Sequence, residues 1–259
     1  MSLTTVRSTS FGQALRALRK ELNISQSALA DRLSSTQRHL SFLETGRAQP
    51  STQMVDRISR VLGLPISKRL SLYEAAGLTS PYKRRDFGSE EVLEALDIVE
   101  KRVLAHWPFP AYVLNKRWDI LRMNDQGNAF LGQAASPGSN EAPNLFELLM
   151  ENAFRDRVLN WTEVAPILAT RLIREAREDA GLAALLQRAS EQGLFTETEA
   201  EPTETVPIFV PVLFEGPGGI PVRMTSLLGQ LVSVQDAIIE GLTIELLVPI
   251  DQESEDLMR

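Results

Sequence analysis

The sequence predicts two domains of different class: a bundle of about five short helices, then an α+β domain built on a five-stranded antiparallel sheet. Three observations carry that prediction. The chain has 259 residues, more than one domain needs and fewer than three would. Apolar residues recur at helical spacing through the first third, whereas two strand-like runs, a helical block and three more strand-like runs fill the rest. The charge divides at the same place: residues 1–86 hold 14 Lys and Arg against 6 Asp and Glu, and residues 87–259 hold 13 against 28. A net charge of -7 therefore conceals a basic first part joined to an acidic remainder. That is the balance of a nucleic-acid module attached to something that is not one. The expected domains are 1–86 and 87–259.

Composition narrows the chemistry. With 43% apolar and 24% charged residues the chain can bury an ordinary core. The absence of cysteine excludes disulfides, thiolate metal sites and cysteine nucleophiles, and two histidines, His39 and His106, leave little for a histidine-ligated metal or haem. No cofactor and no metal are expected. No stretch of about 18 apolar residues occurs and the amino terminus lacks a charged-then-apolar signal pattern, so the expectation is a cytoplasmic protein without membrane association.

Within the first domain, Phe11, Leu15, Leu18 and Leu22 mark one apolar face of a helix that ends at Asn23. Ser25 caps a second helix that buries Leu29 and Leu33, Ser34-Ser35 make a turn, and Thr36 caps a third. Gly46 stands where a left-handed carboxyl-terminal cap is needed. A fourth helix runs from Thr52 to Leu62, Gly63-Leu64-Pro65 break it, and a fifth covers Ser67 to Ala76. On the third helix Thr36, Leu40 and Leu43 share one side, while Arg38, Ser41, Phe42 and Thr45 share the other and Gln37 leads. A short helix held by two leucines, with Gln and Arg in front, suits insertion into a DNA major groove. Gln26 fits either a phosphate contact or a helix cap. Phe42 fits either the cover of a thymine methyl or a packing contact on the fifth helix or the second domain.

Residues 11–64 resemble the phage-repressor-like (XRE-type) helix-turn-helix family. The resemblance rests on Leu15-Arg16, Arg19, Ile24-Ser25-Gln26, Leu29-Ala30, Leu33, Leu40-Ser41, Leu43-Glu44, Gly46-Arg47 and Pro50-Ser51 at fixed spacings. It implies double-stranded DNA as partner, contacted by Gln26, Thr36, Gln37, Arg38, Ser41, Phe42 and Arg47. Gln37, Arg38 and Phe42 would face base edges, Gln26, Ser41 and Arg47 the backbone, and Arg19 would pair with Glu44. It also implies a homodimer on a pseudo-palindromic operator, with half-sites roughly 34 Å apart.

In the second domain Ser89 caps a helix from Glu90 to about Leu104, with Val92, Leu93, Leu96 and Val99 inward. Ala111–Leu114 and Trp118–Met123 read as a hairpin, and Asn124-Asp125 open a helix through Leu131. Helices follow at Leu145–Met150, from about Asn152 through Ala176 with a break near Pro166, and over about 181–191. Residues 132–142 and 197–204 read as loops, and 207–214, 220–232 and 242–249 as strands. Phe109–Ile120, Asn124, Asn144-Leu145-Phe146, Asn160–Ala165, Arg171-Leu172, Gln235-Asp236 and Leu242–Glu245 resemble the MmyB-like ligand-binding domain of bacterial transcription regulators, with a PAS-like order of elements. That resemblance implies a sensor of a small apolar or amphipathic molecule, fatty acids being the leading class. Met123, Leu149, Phe154, Trp161 and Leu168 are candidate cavity walls. Arg171, Arg174 or Asn124 are candidate partners of a carboxylate head, though Asn124 also fits a helix cap and Arg171 a bond to sheet carbonyls. A transcriptional regulator and not an enzyme is the expectation, since a metallopeptidase-type His-Glu-x-x-His is missing. The alternative is a helix-turn-helix repressor whose second domain binds a protein instead of a small molecule.

Overall fold

The computed structural model describes residues 10–131, 143–177, 179–194, 210–231 and 236–259. The loops expected at 132–142 and 197–204 and the first residues of the strand expected at 207–214 lie outside them. The chain forms two compact units. The first comprises residues up to Phe87 together with 232–240, and the second comprises 88–231 and 241–259. The first seam thus falls at Asp86-Phe87-Gly88, and a further short segment from near the carboxyl end groups with the first unit.

The first unit holds α1 (Phe11–Glu21), α2 (Gln26–Arg32), α3 (Gln37–Glu44), α4 (Thr52–Val61) and α5 (Ile66–Ala75). Their starts follow from side-chain capping. Ser10 and Gln13 form a reciprocal capping box on α1, and Ser25, Thr36 and Ser51 accept from Ala28, His39 and Met54 amides on α2, α3 and α4. Leu15, Leu29, Leu33, Leu40, Leu43, Val55, Ile58, Leu72 and Tyr73 make the core. Leu22 does not join it: helix α1 stops one residue earlier, and Leu22 is exposed. Gly46 takes φ +72°, and the amide of Arg47 donates to the Phe42 carbonyl, closing α3 with a left-handed cap. At the other end of the interface, α1 approaches α3 so closely that a Cβ on Gly12 would stand 2.6 Å from the carbonyl oxygens of Leu43 and Glu44.

The last helix of this bundle lacks a cap of its own, because Pro65 precedes it. The cap comes from far along the chain. In α12 (Ala237–Glu240), Glu240 accepts from the amides of Ile66 at 2.8 Å and Ser67 at 3.3 Å, and its charge complements the positive helix start. Asp236 fixes that short helix: it accepts from the Ile238 amide and from the Arg85 guanidinium at 3.1 Å, while the Ala237 amide donates to the Lys83 carbonyl.

The second unit begins with α6 (Glu90–Arg102), which buries Val92, Leu96 and Val99 but leaves Leu93 exposed at its edge. Strands β1 (Ala111–Leu114), β2 (Ile120–Met123), β3 (Val212–Glu215), β4 (Pro221–Gly229) and β5 (Thr243–Pro249) form one antiparallel sheet in the order β2-β1-β5-β4-β3. Helices α7 (Asp125–Leu131), α8 (Leu145–Met150), α9 (Asn152–Arg155), α10 (Trp161–Ala176) and α11 (Ala180–Glu191) intervene between β2 and β3, and α13 (Gln252–Met258) follows β5. The helical block contributes Phe146, Leu148, Phe154, Leu172, Leu182 and Ala189 to one core with Tyr112, Leu114, Ile120, Phe214 and Met224 of the sheet.

One local feature departs from the periodicity reading. The helix expected from Asn152 to Ala176 breaks at 156–160, and Pro166 lies inside the continuous α10. The cause is pairing with β3. Val158 bridges Phe214, the Leu159 amide donates to Leu213 O at 2.7 Å and the Glu215 amide to Arg157 O at 2.8 Å. Asn160 then bonds both Pro211 O and the Leu213 amide. Strand hydrogen bonds thus displace the helical ones, whereas Pro166, at the sixth residue of α10, removes only one. Asn124 takes the helix-cap role, at the start of α7. Its Oδ1 accepts from Ala111 and Gly127 amides, and its Nδ2 donates to the carbonyls of Leu104, Trp107 and Phe109.

Replacing Gly12 with Ala is expected to lower stability by about 1–3 kcal/mol, since the new methyl meets backbone and not a movable side chain; urea unfolding monitored by circular dichroism measures it. Replacing Glu240 with Ala should cost about 1 kcal/mol in the same assay through loss of the α5 cap.

Candidate DNA-reading face and ligand cavity

On the first unit the candidate face is the side of α3 opposite Leu40 and Leu43. Gln37 and Arg38 are exposed along it and Ser41 and Phe42 half-buried, while the exposed Thr36 stands at the helix cap and the exposed Arg47 just past the helix end. Phe42 lies between two guanidinium groups, Arg38 at 5.4 Å and Arg47 at 6.0 Å from its ring centre. The ring therefore holds two cations on one surface through cation–π attraction, an arrangement suited to phosphate oxygens and base edges. Gln26, at the start of α2, is half-buried, and its Nε2 donates to Glu44 Oε2 at 2.8 Å. One amide hydrogen remains to donate to a phosphate, and the carbonyl oxygen to accept from water.

What holds this face at a fixed angle is Glu44, buried at the carboxyl end of α3. Arg19 of α1 donates to its two oxygens at 2.6 and 3.0 Å and gives a third bond to Ile24 O at 2.9 Å. With Gln26, three helices meet on one carboxylate. Burial pushes the Glu44 carboxyl up, but hydrogen bonds from Arg19 and Gln26 and the charges of Arg19 and Arg16 outweigh it, so its pKa lies below the ordinary value.

The second unit contains a cavity of about 100 Å³ between the sheet and the helical block. Leu149, Phe154, Trp161 and Leu168 line it, together with Phe130, Leu131, Leu145, Val158, Val164, Phe214, Met224 and Leu247. An apolar void of ~150 Å³ admits benzene, so a longer chain must press aside the half-buried Leu149, Trp161 and Leu168 on the helical wall. The sheet supplies the polar end: Tyr112, Thr225, Ser226 and Glu245.

Four expected contacts stand elsewhere. Asn124 is used up by backbone groups at the entry to α7, as described above, and does not line the cavity. Met123 packs against the same core without reaching the void. Arg171 lies behind the wall: its Nη1 donates to Glu245 at 3.3 Å, its Nε is 3.5 Å from Glu175, and its guanidinium lies 4.2 Å from the Trp118 ring centre. Trp118 Nε1 in turn donates to Glu175. Arg174 is largely exposed, and its guanidinium is 3.7 Å from Glu175. Tyr112 and Glu245 escaped sequence reading because each sits in a short strand whose facing register only the sheet defines.

A bundle presenting a capped, polar-faced helix and an α+β unit enclosing an apolar cavity together define a transcriptional regulator with separate DNA-binding and ligand-binding parts. Residues 15–68 match the helix-turn-helix family model, and residues 100–259 match the MmyB-like transcription regulator ligand binding domain. The second match takes in more than half of the chain, which belongs to the MmyB-like family. Among solved structures, the chain is similar to the clp gene regulator ClgR from C. glutamicum, at 28% identity over 29% of this chain and 94% of that one, with a TM-score of 0.24. It is also similar to ComR from Streptococcus suis, at 15% identity over 70% of this chain and 60% of that one, with a TM-score of 0.22. No curated protein sequence matches the chain.

A carboxyl group whose folded pKa lies below its ordinary value stabilises the fold fully above the ordinary value, 4.5 for Glu44, and ceases to do so as pH falls through the lower one. Replacing Glu44 with Gln should therefore destabilise the protein by about 3 kcal/mol at pH 7. The variant should also decline less steeply than the wild type below about pH 4.5, read from urea unfolding across pH.

Proposed function

We propose that this regulator binds operator DNA sequence-specifically through α3 and that a small apolar or amphipathic ligand in the cavity of the second unit sets its DNA affinity. The observation that carries the first half is the exposed row Gln37, Arg38 and Arg47, with Phe42 between the two arginines. Gln37 and Arg38 lead the helix and read base edges; Phe42 covers a thymine methyl; Thr36, Ser41, Arg47 and Gln26 bond the phosphate backbone. A two-fold homodimer on a pseudo-palindromic site follows the docking geometry of such helices.

The second half is supported by the apolar walls around Phe154, Trp161 and Leu168, which favour an aliphatic chain of the fatty-acyl type. Ligand would favour one state of the protein over another, and a coupling of about 1–3 kcal/mol is enough to change operator occupancy five- to 150-fold. The family of the second unit and the cavity support this over a second unit that binds only a protein.

Operator selection from a random duplex pool, followed by titration of the selected duplex, tests the reading. Arg38→Ala is expected to weaken specific binding by about 1–3 kcal/mol while leaving weak non-specific binding largely intact. Unchanged specific affinity would remove α3 as the reader.

A further inference from the structure

Residues 236–240 serve the helix bundle, yet they lead straight into β5, a strand that lines the cavity through Leu247. Asp236, 5% exposed, docks them on the bundle. It accepts from the Arg85 amide at 3.2 Å, the Arg85 guanidinium at 3.1 Å and the Ile238 amide at 2.8 Å. The Ala237 amide donates to Lys83 O at 2.9 Å, and Ala237 and Ile239 are buried. Glu240 then accepts from the Ile66 and Ser67 amides at the start of α5, where Pro65 offers no side-chain acceptor.

Only Gly241 and Leu242 separate Glu240 from Thr243, the first residue of β5. Three residue steps span at most about 11 Å, and Leu242 is itself buried, so the link is short and anchored. A shift of β5 by about 1 Å is enough to carry the Glu240 contacts, at 2.8 and 3.3 Å, beyond hydrogen-bond length. Helix α5 passes such a change on. Leu72 and Tyr73 lie in one core with Leu15 of α1 and with Leu40 and Leu43 of α3, and the Tyr73 hydroxyl donates to Asp56 of α4 at 2.6 Å. Loosening the start of α5 therefore reaches the helices that hold α3.

We infer that residues 236–240 form an arm that couples the cavity to the reading face, with Asp236 and Glu240 as positioning residues for DNA binding. Docked, the arm caps α5 and holds the bundle in its DNA-binding form. The docked arm accompanies a cavity of about 100 Å³, smaller than the apolar void that admits benzene. A longer chain enters only as the walls give way, β5 among them. Ligand therefore favours the released arm, and operator affinity falls. The inference rests on the proposal that α3 binds operator DNA and that a cavity ligand sets its affinity; it names the connecting element and the direction of the effect.

The test uses the full-length protein, the selected operator duplex and sodium laurate below its micellar concentration, at a temperature where circular dichroism shows every variant folded. Glu240→Ala should weaken operator binding about fivefold, the loss of one helix cap, and Glu240→Gln, which keeps one acceptor, should fall between. Glu253→Ala, which removes an equal charge from an exposed position on α13, should leave operator affinity unchanged. A cap that serves stability alone does not alter the affinity of protein already folded. Laurate should weaken operator binding by the wild type and add little to the effect of Glu240→Ala. By linkage, Glu240→Ala should bind laurate up to about fivefold more tightly, read from tryptophan fluorescence, since Trp161 lines the void. Hydrogen exchange over the first turn of α5 should rise when laurate binds the wild type and stand high already in Glu240→Ala. Operator affinity unmoved by Glu240→Ala overturns the arm. An undiminished laurate effect on operator binding by Glu240→Ala overturns it too and leaves the ligand reading standing. Laurate that does not bind the wild type, or binds without changing operator affinity, overturns the coupling together with the ligand reading beneath it.

Discussion

The Glu44 carboxylate is the constraint on which the reading face depends. Taking a carboxylate out of water costs several kcal/mol, and only a full set of donors offsets that cost. Arg19 and Gln26 supply the set from two other helices. Because the partners come from α1 and α2, satisfying the charge also fixes the direction of α3. Gly12 works at the same junction by letting α1 lie against the last carbonyls of α3. Electrostatics and close backbone approach thus select one geometry where leucine packing alone would tolerate several. The exposed row from Gln37 to Arg47 inherits its precision from that junction.

The second unit manages its buried polar groups in two opposite ways. Around Asn124 every donor and acceptor is paired with backbone, so a helix start, two strand ends and the Trp107–Phe109 turn are fixed by one side chain. A few residues away on the same sheet, the Tyr112 hydroxyl is buried with its bonding capacity unused. The first arrangement gives rigidity. The second leaves free energy to be gained when something enters, in a core that is also incompletely filled. The proposed response to a small molecule calls for both, a frame that does not yield and a place that is not yet satisfied.

Much of this was legible in the sequence because it is encoded locally. Ser25 and Thr36 announce their helices through side chains that reach amides three residues ahead, and Gly46 announces an end. The five strands are visible as apolar runs. Local encoding fails where a distant residue decides. Pro166 predicts a break in the helix after Asn152, yet Arg157–Leu159 leave it earlier to pair with β3, more than 50 residues later. In the sequence Arg171 fits either a ligand head or sheet carbonyls, because its two carboxylates and Trp118 come together only in the fold. Asn124 was visible as a polar residue at a helix start, but its five partners were not.

The segment carrying Asp236 and Glu240 has a consequence for how such a protein can be taken apart or recombined. The bundle of α1 to α5 receives the cap of its last helix from residues encoded some 170 positions downstream, after four of the five strands. The peptide chain therefore passes between the two units three times, not once. A protease that nicks the chain near Phe87 would leave the bundle held to the downstream piece by noncovalent contacts such as those of Glu240, and a gene truncated there would encode a bundle with an uncapped helix. Exchange of the amino-terminal module between regulators, a simple matter for domains strung like beads, would here have to carry a small loop of the sensor along with it.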